Sequence, residues 1–354
     1  MRPLLDVALD ELALFVPEPR AGVERVDVDD QGAVHLTHVG REGTRWFTFD
    51  DRGLLERHPK DDDALPIARR LQGGETIFTY RPGRRVVVEQ RTRGERRIAK
   101  GYRRKRSREA LRRHQVAEGA SRRGGFRIAR LLVHHRDEEA LVFEPIEGHP
   151  LWLDGEGVEG CFRLGKALAH FQTTYVGDAL DVFGPEQELA VLERWREKAE
   201  RALGGPPQGW LAARDRVREV AGELPEPRIG LVHRDFHDGQ CIETPDGIAL
   251  LDFDQLARGD VALDPANFLA HLSLRGMQGE SGADESSAHA CGEALLAGLD
   301  RQDEEGFWIR LRFYEATTFL RLALLYSLRP RWAEHAPTLL RLGERCLDDL
   351  VRIG

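Results

Sequence analysis

Residues 231–240 read LVHRDFHDGQ, and residues 247–254 read GIALLDFD. The first stretch sets His233, Arg234 and Asp235 behind an apolar pair and places an amide, Gln240, five residues after Asp235. The second is a short strand-like run that ends in Asp252 and Asp254. Carboxylate and amide oxygens are the ligands a hard divalent cation prefers. A carboxylate within reach of a hydroxyl can also accept its proton. Phosphoryl transfer needs those parts and a lysine to steady the nucleotide phosphates, because positioning and electrostatics supply most of its catalysis.

Around this motif the chain is long enough, at 354 residues, for two lobes and an accessory piece. Apolar residues make up 41% and charged residues 32%, enough for a real core under a strongly solvated surface. The net charge of −8 implies no global attraction to nucleic acid, but the charge is uneven. Residues 81–136 hold 20 Lys and Arg against 4 Asp and Glu, so a basic block is joined to an acidic body. Cys161, Cys241, Cys291 and Cys346 are scattered without a C-x-x-C pair, which argues against zinc and a disulfide framework. The start, MRPLLDVALDELALFVPEP, is interrupted by acids and makes a poor signal peptide. No apolar run approaches the ~20 residues needed to span a bilayer. A cytoplasmic protein is expected.

Residues 1–75 read as an accessory region. AVHLTHVGREGTRWFTFDD predicts a hairpin around GREG, and DDDALPIARRLQGG a short helix. Residues 76–148 predict β, β, helix, β, β. RRVVVEQ and RRIAKGY are the first two strands, SREALRRHQVAEGASRR is a helix stopped by Gly124 and Gly125, and FRIARLLVHH and EALVFEPI are the last two strands. Residues 149–354 are mostly helical. GFWIRLRFYEATTFLRLALLYSL is apolar on more than one side, as a buried helix is. Short strands interrupt the helices around residues 229–265.

HRDFHDGQ followed by LLDFD resembles the catalytic and metal loops of the aminoglycoside-phosphotransferase and choline-kinase-like family, in which H-x-D is followed, after four intervening residues, by Asn and then by an I-D-F or I-D-W run. The continuation ARGDVALDPANFLAHL is similar to that family's G-D-P-x-x-D-L-A stretch, so the likeness runs over roughly 40 consecutive residues. It implies an α+β, bilobal, protein-kinase-like fold with a small β-rich N-lobe and a mostly helical C-lobe, here with an N-terminal accessory α+β region. It implies ATP and Mg²⁺ as cofactors, Asp235 as catalytic base, Gln240 and Asp252 as metal ligands, and Lys100 in RRIAKGY as the phosphate-binding lysine. Gln240 departs from the family's asparagine, but its amide carbonyl offers the same oxygen if the loop recedes by about one methylene. At this position the chain resembles bacterial maltokinases, which also carry glutamine there.

The same resemblance asks for a helix glutamate beside Lys100. Glu118 stands at the better spacing, and Glu109 is the alternative. It makes VFEPIEG the hinge, with backbone groups of Glu144 and Ile146 meeting adenine and Phe143 walling the pocket. The glycine-rich loop is replaced by YRPGRRV. Backbone amides near Pro82 to Arg85, helped by the arginines, are the candidates to cover the phosphates. Asp254 is either an outer metal ligand or a partner for the basic block. Asp260 and Asp264 read as loop anchors at a helix start, and His233 as a packed framework residue.

The leading expectation is an ATP-dependent kinase acting on a hydroxyl of a sugar or aminosugar, with an aminoglycoside or amino-alcohol phosphotransferase as the alternative. The acidic C-lobe suits a cationic or polyhydroxyl substrate. DFDQLARGD runs directly into a helix and leaves no room for a protein kinase's activation segment. A nucleotide- or RNA-binding protein is a further class, but the basic block lacks the interleaved aromatic residues on which single strands stack. Nucleic acid is therefore an unexpected partner, and the role of residues 1–75 is unassigned.

Overall fold

The computed structural model describes residues 2–122, 125–174, 179–279, 282–301 and 304–353. Gly124, expected to stop a helix, lies outside them, as do Tyr175 and Val176 at the end of another expected helix.

The chain opens with helix α1 (Leu4–Leu12) and an antiparallel meander of β1 (Val23–Val28), β2 (Val34–Gly40), β3 (Gly43–Asp50) and β4 (Gly53–Arg57). The expected hairpin is β2–β3, closed where Gly40 faces Gly43. Alternation sends Val34, Leu36, Phe47 and Phe49 to one face, where they meet Leu5, Leu9 and Leu12 of α1. Ala202 and Leu328 from the helical part complete that core, so the N-terminal unit is packed onto the rest of the chain. The expected short helix after it is instead two 3₁₀ turns, Pro59–Asp61 and Pro66–Arg70. Pro66 has no N–H to give, so no continuous α-helix runs through it.

A five-stranded sheet follows, in the order β5 (Thr76–Arg81), β6 (Arg85–Thr92), β7 (Glu95–Tyr102), β9 (Ala140–Phe143), β8 (Leu131–His135), with α2 (Ser107–Ser121) between β7 and β8. The expected order thus gains one strand in front. β5 lies at the sheet edge, and its Phe78 is exposed, so its apolar pattern is weak. The strand expected from FRIARLLVHH is shorter than read. Arg127 instead bridges to Ala249, its N–H donating to the Ile248 carbonyl (2.9 Å) and its carbonyl accepting from Leu250 (3.0 Å). That bridge ties the sheet to the strand leading to Asp252.

The remaining chain holds β10 (His149–Pro150), α3 (Gly157–Gln172), β11 (Val182–Phe183), α4 (Pro185–Leu203) and α5 (Trp210–Ala221). Next come β12 (Ile229–Val232), β13 (Cys241–Thr244), β14 (Gly247–Leu250) and β15 (Ala257–Asp260). Four helices close it: α6 (Leu263–Gln278), α7 (Glu285–Leu299), α8 (Phe307–Ser327) and α9 (Ala336–Ile353). α8 is buried on nearly every side, as expected, and carries Arg310, which pairs with Asp260 (3.1 Å) and Glu304 (2.7 Å) inside the core. The four cysteines are free and buried. Among the described residues no helix is long and apolar enough to cross a membrane.

Candidate active site

A cleft of about 860 Å³ opens between the five-stranded sheet and the helical part. Asp235 sits on its floor, just after β12, and the structure shows what fixes it there. Asp264, in the first turn of α6 and fully buried, accepts from the backbone N–H of His233 (2.7 Å) and of Arg234 (2.8 Å). The two bonds hold Arg234 in a left-handed conformation, φ 70°, which turns the following Asp235 into the cleft. Burial pushes the Asp264 carboxyl up, against the pull of the neighbouring His233. His233 is the framework residue its sequence context suggested. Its Nε2 lies 2.7 Å from the Leu251 carbonyl, and its Nδ1 lies 3.3 Å from the Asp235 N–H. A carbonyl can only accept and an N–H can only donate, so the ring carries its proton on Nε2. One imidazole therefore couples the Asp235 loop to the residue before Asp252.

Gln240 reaches the same cleft by a second backbone link. Its carbonyl accepts from the Leu251 N–H (2.9 Å) across the β13–β14 hairpin, which places Gln240 beside Asp252. Asp252 itself is left-handed, φ 60°, at the start of the turn Phe253–Gln255.

The sheet supplies the opposing charges. Lys100 on β7 lies 2.8 Å from Asp252 Oδ1 and 2.8 Å from Asp254 Oδ2. Arg85, at the start of β6, lies 3.0 Å from Asp252 and 2.9 Å from Asp254. The Tyr102 hydroxyl donates to Asp254 (3.0 Å), and Arg113 of α2 donates to the Asp254 carbonyl. Asp254 is thus a partner for the basic block, as Asp252 is. Burial alone would raise the Asp252 carboxyl, but Lys100 and Arg85 more than offset it and hold it well below the usual carboxylate range. Much of the basic block's charge is spent internally: Arg96 pairs with Glu89 and Glu147, Arg113 with Glu109, and Arg130 with Glu144.

Glu118 does not meet Lys100. Its carboxylate lies 3.9 Å from Arg122, and Glu109 pairs with Arg113 at 2.8 Å. The buried stripe of α2 runs through Ser107, Ala110, His114 and Ala117, and Glu118 stands one residue, ~100°, round from it. His114 takes the inward place, 4.8 Å from the Phe143 ring, with its imidazole pushed down by burial.

Phe143, Glu144 and Ile146 line the other end of the cleft with Val87, Ile98 and Leu141, an apolar slot. The Glu144 N–H is committed to the Arg130 carbonyl (3.0 Å), so of its backbone groups the carbonyl is left for a ligand. The wall beyond Asp235 carries Arg25, Arg234, Arg321 and Arg329, with Glu188 as its acid. On this wall, by contrast with the acidic net charge of the helical part, cationic side chains outnumber acids. Arg25 comes from β1 in residues 1–75, a contribution no local pattern announced. The same holds for Tyr102 and Arg113, and for the aspartate contacts of Arg85, whose segment the sequence offered only as a cover for the phosphates; all three reach the aspartates from more than 140 positions away in the chain.

The sequence profile of the phosphotransferase enzyme family (APH) matches residues 83–301, well over half of the chain. The chain belongs to this family. Solved structures similar to this phosphotransferase include an amicoumacin kinase in complex with AMP-PNP, Ca²⁺ and amicoumacin, at 16% identity and TM-score 0.58 over 82% of this chain and 94% of that one. A choline/ethanolamine kinase family protein from Mesorhizobium loti aligns at 14% identity and TM-score 0.55, over 84% and 98% of the two chains. Choline kinase LicA from Streptococcus pneumoniae aligns at 14% and 0.56, over 80% and 96%. At these identities the likeness is one of fold, and it is the bilobal, protein-kinase-like fold. No curated protein matches the sequence.

Proposed function

We infer that this phosphotransferase moves the γ-phosphate of ATP, with Mg²⁺, to a hydroxyl of a small polyol such as a sugar. The observation behind this reading is that Asp235, Gln240, Asp252 and Lys100 line one cleft that is also lined by the apolar residues Val87, Ile98, Leu141 and Phe143. The donor set fits the ion: the carboxylate of Asp252 and the amide of Gln240 line the same cleft, with a second carboxylate, Asp254, near Asp252. Asp252 and Gln240 are the proposed ligands, and the bound ion neutralises charge on the phosphate oxygens.

Lys100 and Arg85, now on the aspartates, are placed to turn to the phosphates. Arg85 follows the tight turn where a glycine-rich loop is missing, so its guanidinium charge takes over part of what backbone amides do in such loops. Phe143 walls the base, and the Glu144 carbonyl and Ile146 N–H are its proposed polar contacts. Glu118 has no nucleotide role in this reading. Residues 1–75, 76–148 and 149–354 are the proposed accessory unit, N-lobe and C-lobe.

Asp235 accepts the acceptor's O–H proton as the new P–O bond forms and the bond to the ADP oxygen breaks. An alcohol is too weak an acid to ionise first, so Asp235 acts in the transition state. Asp235→Asn should lower kcat about 10²- to 10⁴-fold. ATP affinity should change less than about threefold. Coupled ADP release over a panel of sugars, hydroxy acids and amino alcohols finds the acceptor for this comparison. Near-normal turnover in the variant would remove Asp235 from the mechanism.

A further inference from the structure

We propose that the Arg25–Arg81–Arg329 wall is an anion subsite for the acceptor, so that the molecule phosphorylated carries a carboxylate or phosphate besides its hydroxyl. The proposal rests on the kinase reading above and narrows its substrate class. The three arginines come from three separate elements, β1, the end of β5 and the residues after α8, and all face the cleft. None of them makes a side-chain ion pair or hydrogen bond among the described residues. The Nε atoms of Arg81 and Arg329 are buried without a partner. Arg329 only stacks over the Tyr326 ring, 4.7 Å from its centre.

Of the acids that act on Arg81, Asp27 and Asp252 are already taken and Asp235 is the proposed base. Asp27 is bonded by Lys198 and by Arg84 (3.2 Å), and Asp252 by Lys100 and Arg85. Glu188, on the same wall, faces Arg321 and Arg234 and is bonded to Thr317. Burial and the neighbouring guanidiniums of Arg81 and Arg329 both disfavour charge on Arg25. Like charges gathered with buried donors unpaired are costly in the free protein, and that cost is relieved by an anion that accepts from several of them at once. Asp235 acts electrostatically on Arg81, so the cluster stands near the proposed transfer point. A cationic acceptor such as an aminoglycoside or choline would meet this wall with the wrong sign.

The test uses the full chain loaded with Mg²⁺ and AMP-PNP, so that the positions for nucleotide phosphates are filled. Inorganic phosphate is the probe and choline the cationic control, read by thermal shift. Phosphate should raise the melting temperature saturably and choline should not. Arg25→Gln and Arg329→Gln should each weaken phosphate binding about tenfold or more, the scale of a lost charged hydrogen bond. Arg25→Lys should weaken it less, and the AMP-PNP response serves as the folding control.

No saturable phosphate response in the loaded protein, or one unchanged in both Gln variants, overturns the proposal. So does a phosphate response that AMP-PNP abolishes, since the arginines would then serve the nucleotide. A phosphate response that depends on Arg25 in a protein unmoved by AMP-PNP would sink the kinase reading and leave the anion subsite standing.

Discussion

Asp264→Asn tests how the site is built, and its size follows from two bonds. The native carboxylate accepts from His233 N–H and Arg234 N–H, one on each oxygen, in a fully buried position. Asparagine is nearly the same shape but has one oxygen. One of the two N–H groups keeps an acceptor, now uncharged, and the other faces an NH₂. A hydrogen bond to a charged group contributes about 1.5–3 kcal/mol, and a buried donor left unpaired costs about 1–3 kcal/mol. The sum is a loss of about 2.5–6 kcal/mol, read as a fall in the denaturant midpoint with an unchanged slope. Relief of the buried charge, whose carboxyl is already pushed up, works against that loss. The lower end of the range is therefore expected. The same change frees the left-handed Arg234 and with it Asp235. A displacement of about 1 Å at a reacting group can cost about 10²-fold in rate. The variant should lose about that much kcat while its ATP KM moves less than about threefold, because Lys100 and the hinge are untouched. A midpoint and kcat both near wild type would refute the claim that Asp264 sets the Asp235 loop.

Asp252→Asn should abolish the Mg²⁺-dependent part of the nucleotide thermal shift while the chain stays folded, since Asp254 still holds Lys100 and Arg85; an unchanged Mg²⁺ dependence would remove Asp252 from the metal site. Gln240→Ala should raise the Mg²⁺ concentration needed for half-maximal activity, and Gln240→Asn should do so less; two wild-type titrations would show that Gln240 is no ligand. Glu315 of α8 is buried beside Arg312 (2.7 Å), and burial pushes its carboxyl from 4.5 to about 7. The folded pKa lies above the unfolded one, so the native state holds the proton longer and stability falls as pH rises from about 4.5 to 7. Glu315→Gln should flatten that fall, gaining at pH 8 relative to pH 4 at most about 3 kcal/mol, at about 1.36 kcal/mol per pKa unit. Parallel denaturation curves for variant and wild type at both pH values would refute it.

What could be read from the sequence was local. HRDFHDGQ and LLDFD carry their chemistry within about twenty residues, so Asp235, Gln240 and Asp252 could be placed in one site before any tertiary contact was known. The helices from 185 to 203 and from 307 to 327 carried enough apolar residues to be seen. β5 did not, because an edge strand with Phe78 in solvent lacks a clear apolar face. The sequence does not separate α5 and α7 from their surroundings, and its apolar pattern extends a strand over residues 126–130, although Arg127 bonds to another sheet. Glu118 was the instructive miss. Spacing along the chain placed it well, but a helix presents a face, and the small residues at 110 and 117 with His114 between them turn that face away from Glu118.

The substituted glycine-rich loop and the arginine wall have one physical origin. A loop of glycines binds phosphate through backbone dipoles, which carry no net charge and need no counterion when the site is empty. RPGRR replaces dipoles with full charges, and full charges at a cleft need partners in the free state. Arg85 has them in Asp252 and Asp254. Arg81, Arg25 and Arg329 make no side-chain ion pair among the described residues, and the Nε atoms of Arg81 and Arg329 are buried without a partner. The difference separates arginines that can change partners when nucleotide arrives from arginines whose partner must come with the second substrate. That inference makes residues 1–75 more than an appendage. β1 delivers Arg25 to the cleft, and the core shared with Ala202 and Leu328 fixes where β1 lies. Sequence periodicity could find the hairpin in that region, but only the packed chain shows that its neighbouring strand brings Arg25 to the cleft.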